Sequence, residues 1–371
     1  MASSSLIRFS PFLLFLILPL LLIISISDTF CDGLATQQRP FNNTISAIFI
    51  FGDSTVDSGN NNFIRTMSKC DFAPYGRDFD QNHTPTGRFT NGRLVTDFIS
   101  WYVGIKEFVP AYLDSSLGTE ELITGVSFAS GGSGYDPLTP KINGVIPMEQ
   151  QLQYFREYKA RIAGAIGEEN TKLLISKAAF LISAGTNDLV VNYYGTPFRR
   201  QNFTISQYQH FLLQLTHDFI QELIKEGAQL IGIVGLPPIG CLPIVITTFS
   251  GRPFSGRQCL DTYSAVAREY NQMLQDSLQT MKNECKRIVY ADIYKPIDDM
   301  VQNPTKYGFE DVHSGCCGSG YFEVSILCNL RSVICPNASK YVFWDSVHPT
   351  EATYYNLFEA LRPTIDIVIK S

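Results

Sequence analysis

Residues 48–60 read IFIFGDSTVDSGN. Ile48 to Phe51 form an uninterrupted apolar run, as expected of a strand buried on both faces of a parallel sheet. The run stops at Gly52, and Asp53, Ser54 and a tail of small polar residues follow. Gly, Asp and Ser favour turns, so the stretch alone reads as a strand entering a turn. It also reads as a serine held at the carboxyl end of a parallel strand, where open α/β sheets bind ligands. The rest of the chain decides between these readings.

Further short apolar runs lie at 123–128, 178–183, 229–234 and 287–293, most of them bounded by Gly or Pro. With 47–51 they make five expected strands. Helical spacing of apolar residues marks 94–102, 148–166, 206–226 and 261–281 between them. Gly227 closes the third helix in the manner of a C-terminal cap. Strands alternating with helices imply right-handed βαβ units and a parallel sheet covered on both faces.

The chain has 371 residues, a formal charge of −6 and nine cysteines. Arg8 precedes an apolar stretch, 11–27, that ends in small and polar residues. This is the pattern of a secretory signal peptide, expected to span 1–31 with the cut between 27 and 31. The competing reading is an uncleaved anchor, but the run is short for a membrane span and Pro19 interrupts it. The remainder, 32–371, is expected to be a single domain. A mildly acidic chain carries no electrostatic footprint for nucleic acid and no basic cluster for anionic lipid. If Cys31 leaves with the signal, eight cysteines remain, an even number suited to a disulfide framework in a secreted chain. Eight cysteines allow 105 pairings. Cys241 with Cys259, and the adjacent Cys316 and Cys317 with Cys328 and Cys335, are expected as local pairs. A zinc site at His313, Cys316 and Cys317 is the competing use of these residues. Asn42, Asn82, Asn202 and Asn337 stand in glycosylation sequons, which agree with secretion.

Polar residues follow three of the expected strands: Gly52-Asp53-Ser54, Ser130-Gly131-Gly132 and Gly185-Thr186-Asn187-Asp188. A fourth group, Asp345-Ser346-Val347-His348, lies near the C-terminus. A serine hydroxyl needs a base within hydrogen-bond reach to act as a nucleophile. Histidine is the usual base, and a carboxylate on its other nitrogen orients it. Asp345 and His348, one helical turn apart, suit that pairing. Attack on an ester creates an oxyanion that needs preorganised donors. The Ser54 N–H, the Gly131 N–H and the Asn187 amide are the candidates, with Gly132 an alternative to its neighbour. Each motif alone has a plain structural reading as turn, loop or cap. His83, His210, His217 and His313 are the rival bases; only His83 has an aspartate three residues before it, Asp80, and it stands in the Asn82 sequon, where exposure is expected. The Gly-x-Ser-x-Gly elbow of common lipases is absent around Ser54.

Taken in order, FIFGDSTVDSGNN, VSFASGGSGYDPLT, ISAGTNDL and FWDSVHPTE resemble the four blocks of plant GDSL esterase/lipases, within the SGNH hydrolases, over essentially the whole mature chain. GYDPLT and the GCCG segment are most similar to the subgroup called extracellular lipases. The resemblance implies a flavodoxin-like α/β/α sandwich of about five parallel strands. It implies Ser54 as nucleophile, His348 as base and Asp345 as its partner, with Ser54, Gly131 and Asn187 as the oxyanion hole. The implied activity is hydrolysis of acyl esters, lipid or acylated wall component, without metal or organic cofactor. An acyltransferase of wall or cuticle assembly, and a non-catalytic binding or coat protein keeping the fold, are the alternatives.

Overall fold

In the computed structural model, which describes residues 45–281 and 287–370, Ile48–Gly52 forms the first strand, β1. It pairs in parallel with β2 (Ala179–Ser183), which pairs with β3 (Leu230–Val234), which pairs with β4 (Arg287–Ala291). The expected second strand is not a regular strand. It runs beside β1 as an irregular parallel edge, through Ile48 N–H to Thr124 O, Ile50 N–H to Val126 O, Phe128 N–H to Ile50 O and Ser130 N–H to Gly52 O. Its other side is taken at Ser127 by Pro110 and Tyr112. Counting this edge, the five parallel segments follow the spatial order 2-1-3-4-5, the flavodoxin-like arrangement. A second small sheet, β5 (Asp311–Gly315) with β6 (Tyr341–Phe343), was not foreshadowed in the sequence pattern.

The principal helices are α1 (Val95–Tyr102), α2 (Met148–Ile166), α3 (Glu168–Lys177), α4 (Ile205–Lys225), α5 (Asp261–Met281), α6 (Tyr294–Gln302) and α7 (Glu351–Lys370). Thr204 caps α4 through a reciprocal pair with Gln207, which satisfies two N-terminal donors. Alternation along β1 sets the layers. Phe49 and Phe51 face Phe155 and Tyr158 of α2 and Phe219 of α4, with ring centroids 5.0–5.8 Å apart. Ile48 and Ile50 face the other way, into a cluster with Ile99 of α1 and Ile365 and Val368 of α7. Both faces are thus covered, which is why β1, β2 and β3 are almost wholly apolar. No helix among the described residues is long and apolar enough to cross a membrane.

Residues 1–31, Asn42 and Cys285 lie outside the described residues. Cys241–Cys259, Cys316–Cys335 and Cys317–Cys328 are disulfides, and Cys70 is a buried free thiol. The expected local pairs therefore form, the last two nested. Both cysteines of the competing zinc reading are consumed as disulfide sulfurs.

Candidate active site

At the end of β1 the backbone bends at Gly52, whose φ is +136°. A Cβ there would meet the Ser183 carbonyl oxygen at 1.8 Å, so glycine is required both for the turn and for the close approach to β2. Gln151 of α2 grips this point from behind. Its Oε1 accepts the Gly52 N–H at 2.8 Å and its Nε2 donates to Gly52 O at 2.9 Å. Asp53 donates its N–H to Ser183 O, and its carboxylate accepts the N–H and hydroxyl of Thr55. Burial pushes the Asp53 carboxyl up to about 6, against the pull of the Thr55 hydrogen bonds and of His348. Ser54 is thereby held at the sheet's carboxyl edge, 5% exposed.

The Ser54 Oγ lies 2.8 Å from His348 Nε2. On the far side of the ring, His348 Nδ1 is 2.7 Å from Asp345 Oδ2 and 3.0 Å from Oδ1. The Asp345 Oδ1 also accepts the N–H groups of Val347 and His348, so the Asp-x-x-His spacing closes a tight turn around its own carboxylate. Tyr75 completes this carboxylate's shell. Its hydroxyl donates to Asp345 Oδ2 at 2.7 Å and accepts the Ser325 N–H at 2.8 Å. Burial and the adjacent Asp345 push the Tyr75 phenol up, so it stays protonated and acts as a donor. Cys316 and Cys317 donate their N–H groups to Phe343 O and Trp344 O, directly ahead of Asp345. The nested disulfides thus brace the turn that carries the carboxylate and imidazole.

The third component is the loop after the edge segment. Asp57 accepts N–H groups from Gly59, Asn60 and Gly131 at 2.7–2.8 Å. Asn60 Nδ2 donates to Ser127 O and Ala129 O, and Asn61 Nδ2 to Gly131 O. The polar tail of the opening stretch is therefore a clamp on the 127–132 backbone. From the other side Asp188 accepts the N–H of Tyr135 and Asp136 and the hydroxyl of Thr139. Asn187 Nδ2 donates to Ser133 O at 2.9 Å, which leaves the second N–H of its amide available.

A family model described as GDSL-like Lipase/Acylhydrolase matches residues 48–361. The chain belongs to this family. A GDSL esterase/lipase of Arabidopsis thaliana is 55% identical, with 91% of each chain covered. A second from the same plant is 46% identical over 86% of this chain and 79% of its own. The Arabidopsis GDSL esterase/lipase EXL3 is 43% identical over 85% and 86%. Among solved structures, an acetylxylan esterase from Geobacillus stearothermophilus aligns with a TM-score of 0.38 and 14% identity, covering 86% of this chain and 94% of that one. Family membership makes the protein a carboxylic ester hydrolase acting on ester substrates.

Against the expectations for this GDSL site, one residue needs correction. The Gly131 N–H is not free for an oxyanion, because Asp57 Oδ2 takes it at 2.8 Å. Its glycine identity has another cause: a Cβ would lie 2.3 Å from the Phe89 ring, which itself packs 5.0 Å from the His348 ring. Among the described residues no hydrogen bond uses the N–H of Gly132 (φ +89°) or of Ser54. Of the rival bases, His83 and His210 are exposed, His217 and His313 half-buried, and none bonds Ser54. Asn82, Asn202 and Asn337 are all exposed. Tyr75, Asp57, Asn60, Asn61 and Gln151 join the site without belonging to the Ser, His, Asp and oxyanion motifs of the sequence. The tail DSGNN was in view, but Tyr75 and Gln151 carry no local signal.

Proposed function

We propose that the protein is a secreted serine esterase/lipase that works through an acyl-Ser54 intermediate. The observation that carries this reading is the buried, continuous hydrogen-bond path from Asp345 through His348 to Ser54 Oγ at the carboxyl end of β1. His348 Nε2 takes the serine proton as the Oγ–carbonyl bond forms, then gives it to the departing alkoxide. A water molecule, deprotonated by the same nitrogen, cleaves the acyl-serine ester, releases the acid and returns the proton to Ser54. Asp345 holds the imidazole and balances its positive charge. The Ser54 N–H, the free N–H of the Asn187 amide and the Gly132 N–H, in place of Gly131, are the donors assigned to the oxyanion. No metal or organic cofactor has a role in these steps.

The signal-like segment 1–31, the three disulfides and the sequons, exposed at Asn82, Asn202 and Asn337, support export, with glycans at these three and at Asn42. A fluorophosphonate probe is expected to label wild-type protein and to fail on Ser54→Ala, in step with loss of p-nitrophenyl ester turnover. Equal turnover by the folded variant would sink the acyl-serine mechanism. Adding an alcohol acceptor and analysing the products separates hydrolysis from acyl transfer.

A further inference from the structure

Ser54 lines the mouth of an apolar cavity of about 90 Å³ that runs beneath the α1/α7 face of the sheet. Asp53, Thr55, Ser183 and Asn187 make the mouth polar. Deeper, the walls are aliphatic, with Val95 from α1, Leu181 from β2 and Leu357 from α7. A second cavity of about 90 Å³ continues along the same face, past Ala179 and Leu230 toward the amino ends of the strands. The two share Ile99, Leu181, Gly232, Ala291 and Leu361 and so abut across these residues. Thr364 is the only polar residue lining the second. Protein interiors are normally close-packed, and an apolar hollow of this kind stays dry. Its cause is local. Gly232 gives no side chain to the middle of β3, and Ala179 and Ala291 give little on the flanking strands.

We propose that this channel binds the acyl chain of the substrate and selects straight, saturated, medium-length chains, with octanoyl near the optimum. The proposal rests on the acyl-Ser54 reading above and names the substrate class of that site. With the carbonyl at Ser54, aliphatic walls lead inward under the sheet, while the alcohol portion stays at the polar mouth. The four residue steps from Val234 back to Leu230 span roughly 13 Å at strand rise. A chain laid along that length is of medium size, as an octanoyl group with its six methylenes is. Acetyl and butanoyl groups leave the channel unfilled, and hexadecanoyl overruns it.

The test is the specificity constant for p-nitrophenyl esters from acetyl to hexadecanoyl, on wild-type protein, Gly232→Ile and Ala291→Leu. A Cβ on Gly232 would stand 2.9 Å from Leu181 Cδ2, so isoleucine fills the passage at a position of ordinary strand backbone. Burial of each methylene is expected to raise kcat/KM about two- to fourfold up to octanoyl, with a decline beyond decanoyl. The octanoyl-to-acetyl ratio is expected to drop at least tenfold in either variant. A wild-type profile that is flat or favours acetyl, with turnover still lost in Ser54→Ala, overturns the channel and leaves the catalytic reading standing. A ratio unchanged in both folded variants overturns it too. If no ester is turned over, the catalytic reading fails, and 1-octanol binding decides the channel. Saturable thermal stabilisation of wild type but not of Gly232→Ile supports it, and no difference overturns it.

Discussion

Replacing Tyr75 by phenylalanine removes one oxygen and leaves the ring's packing in place. That oxygen is fully buried and serves two partners, donating to Asp345 Oδ2 at 2.7 Å and accepting the Ser325 N–H at 2.8 Å. A hydrogen bond to a charged group contributes about 1.5–3 kcal/mol, and the bond to Asp345 is of that kind. The carboxylate would keep His348 and two backbone donors, so the histidine loses definition rather than its partner. If the loss falls on the transition state, kcat drops about 10- to 100-fold at about 1.4 kcal/mol per decade. KM for p-nitrophenyl acetate should hardly move, since Tyr75 touches no substrate. Stranding the Ser325 N–H costs about 1–3 kcal/mol of stability, which calorimetry would record as a Tm lower by several degrees. Steady-state kinetics and Tm on the same preparation separate the two effects. A folded Tyr75→Phe protein with kcat within twofold of wild type would refute the assignment of Tyr75 to positioning Asp345.

Two further outcomes are expected. Gly52→Ala must force a Cβ against the Ser183 carbonyl at 1.8 Å in a φ +136° conformation, so soluble yield and Tm should fall sharply. A well-folded, active alanine variant would show that the bend is not constrained. Burial raises Asp53 and Asp57 to about 6 and Asp188 to about 7 from the usual 3.8. The native state then holds protons that the unfolded chain has released, so these groups make stability fall as pH rises from about 4 to 7. His313, lowered by burial, opposes them by losing stability as pH falls through its ordinary value of 6.5. Burial also raises Glu351, so with four groups against one Tm should be higher at pH 5 than at pH 7.5, and a flat or rising profile would contradict the carboxyl assignments.

The α/β architecture was legible because strand burial writes itself as apolar runs and helix amphipathicity as 3- and 4-residue spacing. The bounds of α2 and α5 match those expected from that spacing alone. The 123–128 edge was misread as a regular strand because its apolar content reports burial, whereas its pairing depends on Pro110 and Tyr112, which lie outside the segment. Ser54, His348 and Asp345 were visible because turn chemistry keeps their partners local or their motif conspicuous. The Gly131 N–H, expected as an oxyanion donor, is bonded within the protein. Two adjacent glycines satisfy a motif equally well, and only the Asp57 carboxylate, 74 positions away, distinguishes the bonded N–H from the unbonded one. Tyr75 and Gln151 act across 270 and 99 positions, separations that no local pattern encodes.

The 294 positions between Ser54 and His348 have a consequence for the order in which the molecule becomes chemically competent. A chain made from its amino end presents Ser54 early, among residues that cannot deprotonate it. The imidazole and its carboxylate follow nearly the whole of that separation later, next to the segment that carries the nested sulfur bridges. Under the acyl-Ser54 mechanism the chain is therefore inert toward esters until both parts of the site have been made and brought together, and joining them acts as the activation step.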